Sequence, residues 1–328
     1  MALLMRLLQK QEFVVQQLTK QKAERVVAAK IGLGERFLNL FKRRDLLALL
    51  IAKELSVKYK NSVLGFAWSM LNPALMLAVW YFIFQVVLGS AIQYFAIYLM
   101  SGLLAWNFFA SSVQGATTAV VENGEIVKKV AFPRELLVIA KVGQSAVFFL
   151  FQAIVLAVAM AVIEYKPSLQ ALWLVIPAFF AAALFGCALG LILSALNVYY
   201  RDIQHFVEIA LFAWFFAVPV VYSYTATLGP KLSSKGVENF LHAVGLGWFH
   251  LPWLYLADPI APVILSFSRA IYGLRYGNFG GQIRPIVPHH SLVWFLGLDL
   301  YSIFVGLVLF LIGLKIFSRM EANFAEEL

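Results

Sequence analysis

From Asn61 through Val121 the chain contains no Asp, Glu, Lys or Arg. One bilayer crossing takes ~20 apolar residues at ~1.5 Å each, so this run is far too long for a single helix and must fold back inside an apolar solvent. The small and polar-leaning stretch Gly89-Ser90-Ala91-Ile92-Gln93 interrupts it. That break predicts two spans, 64–88 and 94–120, joined by a short turn. Further charge-free runs lie between Lys141 and Glu164, between Lys166 and Arg201, and between Glu208 and Lys231. They predict spans over 142–163, 169–196 and 208–224. A sixth, 292–317, carries Asp299 in its outer third, either facing a protein interior or, as preferred here, at the interface. Composition agrees: 62% of residues are apolar and 13% charged, against ~45–50% and ~25% in soluble domains. The expected fold class is an all-α polytopic membrane protein with six transmembrane helices.

The net charge of +9 would suggest nucleic acid only if the cations clustered on a folded surface. Most of the 26 Lys and Arg instead fall in residues 1–60, in 121–141 (Lys128, Lys129, Arg134, Lys141), at Arg201, and at Lys315 and Arg319. Alternate loops thus carry the positive charge, the pattern that holds Lys and Arg on the cytoplasmic side. Both termini are expected there, and nucleic acid is not needed as a partner. Cys187 is the single cysteine, which excludes an intrachain disulfide scaffold.

Residues 1–35 read as a cytosolic arm rather than a secretory signal, because the apolar start is short and no small-residue cleavage site follows. In 36–60, Phe37, Leu38, Phe41, Leu46, Leu49, Leu50 and Leu55 alternate with cations at helical spacing, as in an amphipathic interface helix. Residues 61–320 form the membrane domain and 321–328 a cytosolic tail. The segment 121–134 starts polar, turns basic and ends in Phe132-Pro133, which predicts a short helix stopped ahead of proline. The external segment 225–291 is too long for a turn and too apolar for water, so short helices dipping back into the outer face are expected. Pro73, Pro177 and Pro219 each remove a backbone donor inside a predicted span and should bend it.

Reactive groups at recognisable spacing are missing: the chain has no HExxH, GxSxG, DxD or GxxxxGK[ST] pattern. A chain without such groups does not hydrolyse ATP, and no metal or cofactor site is expected in it. The rival reading is an integral-membrane transferase for polyprenyl-linked sugars, with Asp258, Arg269, Arg275, Arg284 and His289 as its candidate residues.

Four segments carry a family likeness: KYKNSVLGFAWSMLNP at Lys58–Pro73, VKKVAFPRE at Val127–Glu135, LSALNVYYRD at Leu193–Asp202 and LADPIAP at Leu256–Pro262. In this order the chain resembles the ABC-2 type permeases that export polysaccharides, including O-antigen, teichoic-acid, capsule and galactan exporters. The resemblance implies a homodimer in the bacterial inner membrane, with two copies of a separate ATP-binding-cassette subunit that holds ATP and Mg. It implies as substrate a glycan on a polyprenyl-diphosphate lipid, moved outwards for cell-envelope biogenesis.

On that resemblance, 121–134 is the candidate coupling helix. Glu122, Glu125, Lys128, Lys129, Phe132, Pro133 and Arg134 would meet the ATPase subunit, together with Arg201 and Asp202. A solvated topology-setting loop explains the same charges, and Arg201 and Asp202 could simply pair with each other. Arg43, Arg44, Lys53, Lys58 and Lys60 are candidate guides for the lipid pyrophosphate, since basic residues at the surface attract anionic headgroups; plain anchoring to membrane lipid is the alternative. Sugar rings present apolar C–H faces that stack on aromatics. Because the family architecture puts spans one and five at the dimer axis, Phe66, Trp68, Trp80, Tyr81, Trp214, Phe215 and Tyr222 are the channel-lining candidates, set against the ordinary enrichment of Trp and Tyr at membrane interfaces.

Overall fold

The computed structural model describes residues 43–59, 67–87, 89, 92–130, 132–225, 255–279 and 281–328. The arm 1–35, the start of the amphipathic segment, Lys60, Phe66 and residues 226–254 of the external segment lie outside the described residues. Within them the chain is helical, apart from one two-stranded hairpin.

Helix α1 (Arg44–Tyr59) lies against the bundle with Leu50 and Glu54 buried. Span one is α2 (Trp68–Tyr81), extended by the π-helical turn Phe82–Val87. Span two is α3 (Phe95–Glu122), and the short α4 (Gly124–Lys129) follows it directly. Span three is α5 (Glu135–Val162); span four is α6 (Val175–Tyr199), entered through the 3-10 turn Leu172–Leu174. At ~1.5 Å per residue, 28 residues in α3 and in α5 reach beyond a ~30 Å hydrocarbon layer. The final span is α9 (Leu292–Met320), followed by α10 (Phe324–Glu327). Among the described residues, five helical stretches are long and apolar enough to cross a membrane.

The predicted fifth span, 208–224, differs. Its helix, α7, runs Ile203–Ala217. Fifteen residues reach only ~22 Å. The cause is local: a residue before proline is driven out of the helical region, and Val218, ahead of Pro219, is extended at φ −96°, ψ 153°. Pro219 therefore ends this helix instead of bending it. Pro177 falls in the first turn of α6, where the missing donor has no intrahelical partner anyway. Pro73 lies inside α2 as expected.

Beyond α7 the apolar helix α8 (Ile260–Ile271) is buried along nearly its whole length, packed among α3, α6 and α9. Twelve residues cannot span, so it dips into the bundle, as the apolar external segment suggests. The hairpin β1 (Tyr276–Phe279) with β2 (Gln282–Pro285), Tyr276 opposite Pro285, was not anticipated. Asp299 faces the protein interior, the less favoured of the two expectations. It is completely buried and accepts a hydrogen bond from Ser266 Oγ at 2.9 Å, tying α8 to α9.

Helix α6 forms the centre of the packing. Water does not drive helices together in lipid, so close backbone approach must. Ala178, Ala181, Ala182, Gly186 and Gly190 keep the buried side of α6 small. A Cβ at Gly190 would overlap the Ala116 Cβ of α3, and one at Gly313 of α9 would stand 3.0 Å from the Ala188 carbonyl. Larger rings fill the remaining gaps, as where Phe108 stacks on Phe179 at 4.6 Å between ring centroids. Gly190→Val should therefore lower the melting temperature in detergent, consistent with ~1–3 kcal/mol for overpacking. Gly297→Ala, on open surface of α9, should leave it unchanged.

Candidate functional site

Four helices and the end of α1 enclose an open cavity of about 880 Å³. From α2 the row Trp68, Asn72, Met76, Trp80 lines it. These residues repeat every four positions and so share one helix face. From α3 come Leu103, Trp106, Asn107, Ser111 and Gln114; from α5, Phe148 and Gln152; from α7, Glu208, Leu211, Phe212 and Phe215. Asn107 Nδ2 donates to Gln152 Oε1 at 3.0 Å, and Ser111 Oγ to the Phe108 carbonyl at 3.2 Å. Lys58 enters from α1 with its ammonium 4.0 Å from the Phe148 ring centre. Burial, and then repulsion from Lys141, lower its affinity for a proton.

Of the aromatic candidates, Trp68, Trp80 and Phe215 stand on this wall. Trp214 does not. Its neighbour Phe215 faces the cavity, and one residue along a helix turns the side chain by about 100°. Trp214 packs instead against Phe109 and Phe185, and its Nε1 donates to Asp258 Oδ2 at 2.7 Å. Tyr222 lies past the end of α7, where its hydroxyl donates to the free carbonyls of Phe216 and Ala217. Tyr81 is off the wall and 44% exposed. Sequence reasoning missed the uncharged polar residues Asn72, Asn107, Ser111, Gln114 and Gln152. The signal was present, since Asn107, Ser111 and Gln114 recur at four- and three-residue intervals inside an apolar helix, and polar side chains there turn away from lipid.

The end of the bundle that carries α4 holds the second group. Glu125 and Lys129 pair across one turn at 2.5 Å and, with Lys128, face outward; Val127 anchors the other side of α4. Lys129 beside Glu125 holds that carboxyl below its usual range. Arg201 and Asp202 are exposed in the turn between α6 and α7, and no ion pair joins them. Phe132 and Pro133 are half-buried. Two other coupling candidates are tied back to the bundle, Arg134 half-buried and Glu122 exposed. Arg134 reaches the carboxylate and carbonyl of Glu321 and lies over Phe324. Glu122 accepts from Lys141 at 2.6 Å.

Lys141 is the hub of that inner end. Its ammonium stands 2.6 Å from Glu122 Oε2 and 2.6 Å from Glu54 Oε2, so α1, α3 and α5 meet on one charge. Lys53 adds bonds to Glu54 and Asn123, and Gln144 Nε2 donates to the Glu54 carbonyl at 3.0 Å. Burial by itself would raise the Glu54 carboxyl, but Lys141 and Lys53 outweigh it and hold it below its ordinary range. Lys53 is thus committed within the protein, Arg43 and Arg44 are exposed at the start of α1, and Lys58 alone of the pyrophosphate candidates among the described residues reaches the cavity. The transferase candidates do not gather at one centre. Asp258 holds Trp214 and the Ile260 amide, Arg275 is bonded to Tyr165, and Arg284 reaches Gln282.

Apolar spans around an open, partly polar cavity, with an exposed charged helix at one end, are an arrangement that suits a transport permease. Residues 45–233 match the profile of the ABC-2 type transporter family, and the chain belongs to that family. It is 29% identical over 282 residues to an O-antigen export system permease protein, RfbA, of Klebsiella pneumoniae, covering 86% of this chain and 94% of the relative. A protein of the same name from Myxococcus xanthus is 36% identical over 184 residues, 56% of this chain and 70% of its own length.

Removing one partner of a buried ion pair costs ~3–5 kcal/mol, so Lys141→Met should markedly lower the detergent melting temperature, and adding Glu54→Gln should recover much of the loss. Because the Glu54 carboxyl is depressed, its stabilising contribution is complete above the ordinary value of 4.5 and is lost as pH falls below that toward the depressed value. Melting curves across pH 3–7 should show this loss in the wild type and not in Glu54→Gln.

Proposed function

We propose that this chain is the membrane-spanning subunit of an exporter that carries a polyprenyl-diphosphate-linked polysaccharide of the O-antigen kind outwards across the bacterial inner membrane. Two copies form the conduit, and two copies of a separate ATP-binding subunit, holding ATP and Mg, supply the energy. The observation that carries the reading is the cavity wall, where the indoles of Trp68, Trp80 and Trp106 stand with Asn72, Asn107, Gln114 and Gln152. Indole faces stack on the C–H faces of sugar rings, while amides trade hydrogen bonds with hydroxyls at little net change from water. A polymer can then advance through many weak, interchangeable contacts. The names of the relatives support the same substrate class.

On this reading the end with α4 is cytoplasmic, which the cation distribution supports. Glu125, Lys128 and Lys129, with Arg201 and Asp202, offer the ATPase subunit its contact. Glu122 and Arg134 act one step behind, fastening α4 to α1 and to the chain's last helix. Lys58 meets the diphosphate where the lipid headgroup enters. The exposed apolar surface of span one, Leu75 and Val79 of α2 with Phe82 and Val86 of the π-helical turn, faces the second copy or lipid.

Co-expression with an ATP-binding-cassette subunit should give a complex that delivers lipid-linked glycan across a vesicle membrane only with ATP. Failure to form that complex would overturn the reading. Loss of one stacking ring is worth ~0.5–1.5 kcal/mol, so Trp68→Ala should slow delivery by about two- to tenfold at unchanged melting temperature. Lys128→Glu should cut delivery while leaving the permease inserted and folded.

A further inference from the structure

We infer that the cavity selects an electrically neutral glycan over a polyanionic one, and that Glu208 sets this preference. The inference rests on the export reading and narrows its substrate class.

The described residues of the wall carry two charges, and they have opposite sign: Lys58 and Glu208. The rest are amides, one hydroxyl, two thioethers, indoles, phenyl rings and aliphatic side chains, and no arginine is among them. A chain bearing a uronate or phosphodiester in each repeat would bring several anions into this space together. An anion taken out of water costs several kcal/mol unless a cation meets it, and phosphate and carboxylate are met best by the forked guanidinium of arginine. Lys58 can neutralise one such group. Glu208 repels the next.

A neutral polymer has the opposite balance. Its hydroxyls find Asn107, Gln114 and Gln152, its ring faces find Trp68 and Trp80, and no fixed charge is left opposed to it. The only anion then needing a cation is the diphosphate that joins the glycan to its lipid. Lys58, at the α1 end of the cavity and already backed by Phe148, is a single ammonium for a single charged group.

The test uses the full complex with its ATPase in proteoliposomes, loaded with two length-matched probes on the same polyprenyl diphosphate. One is a galactose homopolymer. The other has galacturonic acid at alternate positions, which differs only in the C6 carboxylate. Wild-type complex should deliver the neutral polymer at least about tenfold faster, equivalent to ~1.4 kcal/mol. Glu208→Lys should narrow that ratio by raising delivery of the acidic polymer, and Glu208→Gln should narrow it by less. Equal or faster delivery of the acidic polymer by the wild type, or a ratio that neither variant moves, would overturn the inference and leave export intact. Delivery of neither polymer by a complex that hydrolyses ATP would overturn export itself.

Discussion

Backbone contact between α6 and its two neighbours is the constraint around which the molecule is arranged. Where Gly190 meets Ala116 and Gly313 meets the Ala188 carbonyl, no room remains for a side chain. The three helices α3, α6 and α9 therefore form one slab, with van der Waals contact in place of the hydrophobic drive that lipid cannot supply. Helix α8 wedges into this slab through Ser266 and Asp299. Helices α2 and α7 are joined to it more sparingly, and the cavity opens on that looser side.

A rigid slab and a looser flank need a connection if work done at one end is to be felt at the other. Lys141 provides one. It sits on α5, and its two carboxylate partners belong to α1 and to the last turn of α3, immediately before α4. Glu122, just before α4, and Glu54 of α1 thus share one ammonium. One turn beyond Glu54 along α1 is Lys58, on the cavity wall. The cost of burying these charges is met only while all three helices keep their places, so the cluster gives little as surplus stability and much as fixed geometry. Arg134, Glu321 and Phe324 brace α4 from the other side.

Much of this architecture is written in where charges do not occur. Lipid admits only segments that satisfy their own backbone, so charge-free runs translate almost directly into α2, α3, α5, α6 and α9. The exception follows the same logic: α7 stops at Ala217 because Pro219 acts on its predecessor, a local rule that a hydropathy window overlooks. The site was less legible. Aromatic content pointed to α2 and α7, but whether Trp214 or Phe215 faces the cavity is a matter of helix phase, and phase is set by packing against Phe109, Phe185 and Asp258. Lys141 read as one more topology-setting cation. Its role depends on Glu54, far away in sequence, and no spacing rule joins the two.

The division of labour within the cavity follows from how differently a charge and a hydroxyl behave out of water. A hydroxyl exchanges one hydrogen bond for another at a net ~0.5–1.5 kcal/mol and can do so repeatedly along a row of amides. An ion pair in a dry site is far stronger and would hold a moving chain in place. A conduit for a long polymer therefore works best with amides and rings along its length and a charge only where something must be caught. The described wall comes close to that arrangement: Asn107, Ser111 and Gln114 follow α3 along the cavity, and its two charges are Lys58, at the α1 end, and Glu208 of α7. Tight binding anywhere along such a row would slow passage, so many weak and interchangeable contacts suit a transport path better than one strong site.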